Sequence, residues 1–490
     1  MVHGTDSPTS LSPLATARSL GSRTASRLLA AAALVGVSFS LVSGQVVRLP
    51  LPGQGGGLLP SDGAVVVLAV AAGAVAWQTR RLVMSAVHYT LLWTPFAAVS
   101  AGLVIVFAPT LPPGAGAIAA AYWVRLFAGV LVLPALLELT LVVTPAALHR
   151  TVRWTMAALL LFGALQLFLL PNLQSLVPAG WDPHQGRLVS TWLDPNYFGA
   201  ACVMMACYAA AWSLNTLSGK AQSTKLKSQI LPNSEKRNTP PRLVRAFGRV
   251  FTVLFGFWTV WIPRIHSGKL ARVWSFFLIA ASLAALLATQ SRGSFIAAAA
   301  AALIFIPAAA PSLQRLSASR RRAVSILAIA AALTVAAAMP LLHQRLTGLL
   351  WPDATYNLRR DALSAVWPLA REHTLLGVGY NTYQFTARQV GLINDFTVHS
   401  RAGADNSYLT LWITTGLPGL VLFLLPAAAV TRSLIVRAWR TADPYPAAAA
   451  AAAAALAVHA LFVNSLLYSH LLLILSLIIA AALSQRNNST

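Results

Sequence analysis

The sequence predicts an all-α integral membrane protein of about twelve transmembrane helices, with one large extracytoplasmic loop containing short helices. Three observations carry this. Of 490 residues, 57% are hydrophobic and only 10% charged. Apolar runs of about eighteen residues or more recur along the chain, which a soluble core does not need. Lys and Arg, finally, gather in alternate connectors between those runs, the pattern that sets membrane orientation.

Residues 1–27 are rich in Ser, Thr and Pro and hold Arg18, Arg23 and Arg27, a composition that predicts a disordered basic tail. The N-terminal transmembrane part, 28–214, contains apolar runs at 28–47, 62–77, 85–109, 117–145, 153–171 and 196–214. The first is too long for a cleavable signal core and lacks a cleavage site, so it is read as a span. A Lys/Ser/Asn/Pro-rich stretch without periodicity follows. Together with the short Trp/Phe-rich run 250–263, read as an interfacial helix, it forms a basic cytoplasmic linker over 215–271. Spans resume within 272–342 at 272–289, 293–310 and 323–342. A polar segment, 343–404, is the expected extracytoplasmic loop. The last spans, 405–430, 446–464 and 467–484, fill 405–484, and 485–490 is a short tail. Nine consecutive alanines, Ala447–Ala455, permit close helix packing.

With the N-terminus inside, 26 of the 36 Lys and Arg residues fall in cytoplasmic segments, so both termini are expected in the cytoplasm. The net charge of +24 is therefore mainly a topology signal, and nucleic acid is not implied. Eight of the twelve acids, among them Asp62, Asp182, Asp194 and Asp405, fall outside. They balance the eight outer basic residues and give a mixed-sign polar face. Cys202 and Cys207 lie five apart in one apolar run, on different helix faces, and read as small core residues.

Three constellations hold chemistry. The first is G-R-L-V-S-T-W-L-D-P-N-Y-F-G, Gly186 to Gly199, entering the sixth span. Asp194 and Pro195 suit an N-cap and first helical position. That leaves Arg187, whose planar guanidinium matches a phosphate or diphosphate, or a lipid head group. The second is T-Q-S-R-G, a connector so short that Arg292 stays at the hydrocarbon edge, where it either snorkels or serves a site. Arg125 and Glu138 lie deeper, far enough round one helix to need different partners, and Arg125 is a further candidate for the same anion.

The third constellation is the polar loop. Helical spacing places Arg360, Trp367 and Arg371 on one face, provided Pro368 kinks rather than ends the helix. Gly377, Gly379 and Asn381 make a tight turn; as a phosphate loop, G-V-G-Y-N lacks a preceding strand and a Lys. His399, Arg401, Asp405 and Asn406 crowd the next span, where Asp405 reads either as an N-cap or as a base. Neither metal-ligand spacing nor a nucleotide motif is evident, so no cofactor and no metal is expected. No internal repeat or matched pair of broken spans is seen, which weighs against an inverted-repeat transporter of lipid-linked glycans.

R-L-V-S-T-W-L-D-P-N-Y-F-G, T-Q-S-R-G, G-V-G-Y-N-T-Y and A-D-N-S-Y-L-T-L-W-I-T-T-G-L-P-G-L, in that order over Gly186 to Leu420, resemble the O-antigen ligase and polymerase superfamily of bacterial membrane glycosyltransferases. The resemblance implies a glycan donor on undecaprenyl diphosphate and a glycan or lipid A-core acceptor. It also implies membrane-lipid surroundings and reaction at the outer face of the bacterial inner membrane, without metal or nucleotide. It assigns diphosphate binding to Arg187, Arg292 and Arg360. Many members carry His-Asn where this chain has Asp405-Asn406, so the base falls to Asp405 or to His399, with Asn406 beside them. Trp367, Tyr380 and Asn381 are the candidates for positioning sugars. O-antigen or exopolysaccharide polymerisation is the alternative activity, differing in the acceptor.

Overall fold

Long apolar sequences with few breakers form helices here, and short capped turns join them. The computed structural model describes residues 13–50, 57–179, 182–218, 268–322, 324–325, 354–392 and 404–484. Helices α1 (Pro13–Ser43), α2 (Pro60–Thr79), α3 (Met84–Phe107), α4 (Ala115–Leu139), α5 (Pro145–Leu169) and α6 (Pro195–Leu217) come first. The hairpin α7 (Gly268–Thr289) and α8 (Arg292–Gln314) follows. Then come α9 (Ala354–Glu372), α10 (Tyr383–Gln389), α11 (Ser407–Thr441), α12 (Pro444–His459) and α13 (Ser469–Leu483). Among the described residues, nine helices are long and apolar enough to cross a membrane: α1 to α8 and α11. The protein is an all-α integral membrane protein; among the described residues its only ladder is the two-residue antiparallel pair Leu49–Pro50 and Gly57–Leu58. The expected span 323–342 and interfacial helix 250–263 lie outside the described residues, apart from the two at 324–325.

Several boundaries differ from expectation, each for a local reason. Helix α1 starts at Pro13 rather than 28, because the Ala-, Leu- and Arg-containing stretch after that proline holds no further Pro. Helix α5 starts at Pro145, capped by the Thr144 hydroxyl, which accepts from Ala147 N. Arg150 and Arg153 therefore lie within it, and the Arg153 guanidinium sits 4.6 Å over the Trp212 ring. Helix α11 continues through Arg432 and Arg437 to Thr441, but Gly416, at φ 68 and ψ 175, breaks it into two helical pieces.

Helix α6 is the buried centre of the bundle, packed against α7 and α12. Small side chains make that possible. Ala447 to Ala452 of α12 are fully buried, and a Cβ on Gly199 of α6 would stand 2.4 Å from Ser294 Oγ of α8.

The motif G-V-G-Y-N-T-Y interlocks with the break in α11 through main chain. Val378 N donates to Ile413 O (2.8 Å) and Leu417 N to Thr374 O (2.8 Å). Gly377, Gly379 and Asn381 all have positive φ, as the tight turn required. Val366, Leu369 and Ala370 of α9 are buried with Val378, Tyr383 and Ile413, so α9 lies against the first part of α11. Pro368 is inside α9, which runs on to Glu372.

A candidate site at one end of the bundle

Four chain segments meet at one end of the bundle: the approach to α6, the α7–α8 connector, the start of α11 and the α12–α13 turn. The approach to α6 is pinned before it arrives. Gly186 N donates to Pro171 O (2.8 Å) and Leu173 N to His184 O (2.9 Å), and Asn172 bridges Gln185. Leu188 N then donates to Ala288 O (3.0 Å), laying Gly186–Leu188 along the end of α7.

This brings two predicted arginines to one hairpin. Arg187 donates from Nε to Thr289 O (3.0 Å) and from Nη2 to Gln290 O (3.5 Å). Arg292, half-buried, opens α8 two residues after Gln290. Beneath them runs a buried polar network. Ser291 Oγ donates to Asn196 Oδ1 (3.0 Å) and Ser294 Oγ to Asn196 O (3.2 Å). His459 Nε2 lies 3.1 Å from Ser294 Oγ, and its Nδ1 lies 2.5 Å from Ser465 Oγ. The hydroxyl of Tyr468 accepts from Gln45 Nε2 (3.1 Å), while its ring stacks on Tyr197 with centroids 4.0 Å apart. Sequence reading singled out neither His459 nor Tyr468; each lay within an apolar run.

Asp405 and Asn406 divide the roles that sequence left open. Asn406 is the cap: its Oδ1 accepts from Tyr408 N (2.9 Å) and Leu409 N (3.1 Å). Asp405 precedes the cap in the left-handed region, φ 47, an unusual conformation for a non-glycine residue. Its carboxylate acts electrostatically on the Tyr197 and Tyr383 hydroxyls, as do Asp194 and Asp182 on Tyr197. Burial, then Asp405, pushes the Tyr383 phenol up to about 12, so it stays protonated at neutral pH.

The remaining predicted residues are spread out. Arg360 is exposed on α9, and Trp367 meets Trp412 edge-on with centroids 5.3 Å apart. Tyr380 is buried in the main core, while Asn381 is half-buried at the turn. His399 and Arg401 lie outside the described residues. Arg125 is engaged elsewhere: it makes a two-pronged ion pair with Asp62 (2.8 and 2.6 Å) and donates to Gly57 O (2.9 Å). Its role there is to tie α4 to the start of α2. Glu138 accepts from Val83 N (2.8 Å), satisfying the first turn of α3.

One cluster escaped sequence reading. Asp182, His184 and Asp194 place donor atoms within 4.8 Å of one another, a set able to hold a metal ion. Asp194 is also the cap of α6, accepting on Oδ1 from Asn196 N (2.6 Å) and Tyr197 N (3.1 Å). Burial raises its carboxyl above the ordinary range, against those bonds and the nearby His184. Burial lowers His184, against the pull of Asp194, which leaves a neutral imidazole. The available signal was Asp182-Pro183-His184, a D-x-H spacing ten residues before Asp194.

Residues 275–424 match the family model described as O-Antigen ligase. That range holds Arg292, Arg360, Trp367, Tyr380, Asn381, Asp405 and Asn406, but not Arg187. No curated protein matches the chain. This match supports a place for the chain in the O-antigen ligase and polymerase superfamily.

Proposed function

We propose that this membrane enzyme transfers a glycan from an undecaprenyl-diphosphate carrier to an acceptor hydroxyl at the outer face of the bacterial inner membrane. The observation that carries the reading is a chain of contacts at one end of the bundle: Arg187 holds the connector that bears Arg292, Ser294 of α8 meets His459, and the neighbouring Ala460 O accepts from Ser407 N, two residues after Asp405, in a chain that matches the O-antigen ligase model. The acceptor oxygen attacks the anomeric carbon, and the bond from that carbon to the diphosphate oxygen breaks. The leaving diphosphate takes the bonding electrons. Arg187 and Arg292, with Arg360, stabilise the charge that develops on it. The acceptor proton passes to Asp405 or His399. Trp367 and Asn381 orient the sugars, Tyr380 being buried in the core behind them, and binding both sugars at one end of the bundle lowers the entropic part of the barrier. Tyr383, held protonated by burial and by Asp405, is a hydrogen-bond donor in this scheme rather than a base.

Ligase and polymerase activities share this donor chemistry and part only at the acceptor. Purified protein given an undecaprenyl-diphosphate oligosaccharide alone distinguishes them by gel. A ladder of growing lipid-linked glycan means a polymerase; transfer only when a lipid A-core acceptor is supplied means a ligase. No transfer under either condition overturns the glycosyltransferase reading.

A further inference from the structure

We propose that Asp182, His184 and Asp194 form a binding site for a divalent cation. Two carboxylates and one imidazole converge, their ligand atoms all within 4.8 Å of one another. Ions that accept mixed oxygen and nitrogen donors sit about 2.0–2.2 Å from each ligand atom. Pairs of donors then stand about 3–4 Å apart, so the three need to draw in by only on the order of 1 Å.

Two features support a ligand rather than a chance grouping. The first is His184 Nε2, which is buried and has no hydrogen-bond partner. An orphaned ring nitrogen inside a polar cluster is costly unless something binds it. The second is rigidity. The His184 segment is held by Leu173 N to His184 O and by the Asn172–Gln185 bridge, and Asp194 is fixed as the cap of α6. The backbone that carries the donors is therefore set before any ion arrives.

Two oxygens and one imidazole nitrogen suit Mn2+ or Zn2+ better than Ca2+, which prefers a shell of oxygens. Three protein ligands leave further positions open to water or to an oxyanion. That an oxyanion of the donor takes those positions rests on the function proposed above; binding of the ion does not.

The test is metal binding without substrate. Chelator-stripped, detergent-purified full-length protein is titrated with Mn2+ alone, and free Mn2+ is followed by electron paramagnetic resonance. One saturable Mn2+ per chain is expected, with affinity falling at least tenfold in His184→Ala and in Asp194→Asn. Asn is as good a helix cap as Asp, so Asp194→Asn keeps the fold while removing the ligand charge. Glu372→Gln, at an exposed acid on α9, is expected to bind as the parent does. The proposal is overturned by absence of saturable binding, or by binding that survives both ligand substitutions unchanged. Because no glycan donor is present, the outcome is independent of whether the protein transfers glycans.

Discussion

Two arginines, Arg125 inside the span α4 and Arg187 on the approach to α6, show how differently one residue type is used. Arg125 faces Asp62 with both prongs of its guanidinium and also holds Gly57 O. Its charge is matched, and the pair ties two helices together. The main-chain bonds of Arg187 instead run to carbonyls at the end of α7, which orient a guanidinium without cancelling its charge. Intramembrane depth alone marks an arginine as worth explaining. The partners set what each one holds: an acid across two helices for Arg125, the carbonyls of the α7–α8 connector for Arg187.

The comparison can be broken most forcefully where the fold depends on backbone alone. At Gly416 a Cβ would lie 2.1 Å from Leu375 O, at a φ of 68 and ψ of 175 that only glycine adopts readily. Gly416→Ala is expected to destabilise by about 3 kcal/mol or more, summing backbone strain and the steric clash. Thermal unfolding and gel filtration check it, and an unchanged melting temperature would contradict the interlock of the two motifs.

Next in size is the contrast between the arginines. Arg125→Ala leaves Asp62 without its partner in a pair that is about three-quarters buried. A loss of roughly 2–3 kcal/mol is expected, less than for a fully buried pair because solvent still screens it. Arg187→Ala is expected to shift stability by only about 1 kcal/mol while cutting transfer from a lipid-diphosphate donor at least a hundredfold. Thermal unfolding beside an initial-rate assay separates them. Equal stability losses in the two variants would abolish the distinction.

Smaller effects sharpen the division of labour at the start of α11. Asn406→Ala should cost about 1 kcal/mol through the lost cap. Asp405→Asn should leave stability within about 0.5 kcal/mol yet lower turnover strongly, since Asn406 keeps the cap. A turnover equal to the parent would remove Asp405 from the proton-transfer role and leave His399 to supply it.

The spans were legible because hydrocarbon thickness imposes long apolar runs that few other folds need. Their ends were less so. Arg150 fell in the gap before the expected span 153–171, yet α5 begins earlier at a Thr-Pro cap and carries Arg150 and Arg153 within its first turns. The break at Gly416 was hidden inside a continuous apolar stretch, since only its φ and the close approach of Leu375 reveal why a glycine stands there. At the site, Arg187 could be picked out by the G-R-L-V-S-T-W-L-D-P-N-Y-F-G stretch near whose start it stands, and Arg292 by the shortness of its connector. The His459–Ser294–Ser465 network could not, because each partner lies on a different segment within apolar sequence. Asp182 and His184 escaped for a related reason: the bridge from Asn172 to Gln185 folds their segment back beside Asp194.

The most direct measurement of the central claim is initial-rate transfer from an undecaprenyl-diphosphate oligosaccharide in lipid nanodiscs, comparing the parent with Arg187→Ala and Arg292→Ala. Donor binding and thermal unfolding are read on the same samples. The account predicts that both variants stay folded, bind the donor more weakly and lose at least a hundredfold in rate. Parental rates in both folded variants would contradict it, because the diphosphate would then depart without the two arginines assigned to receive it.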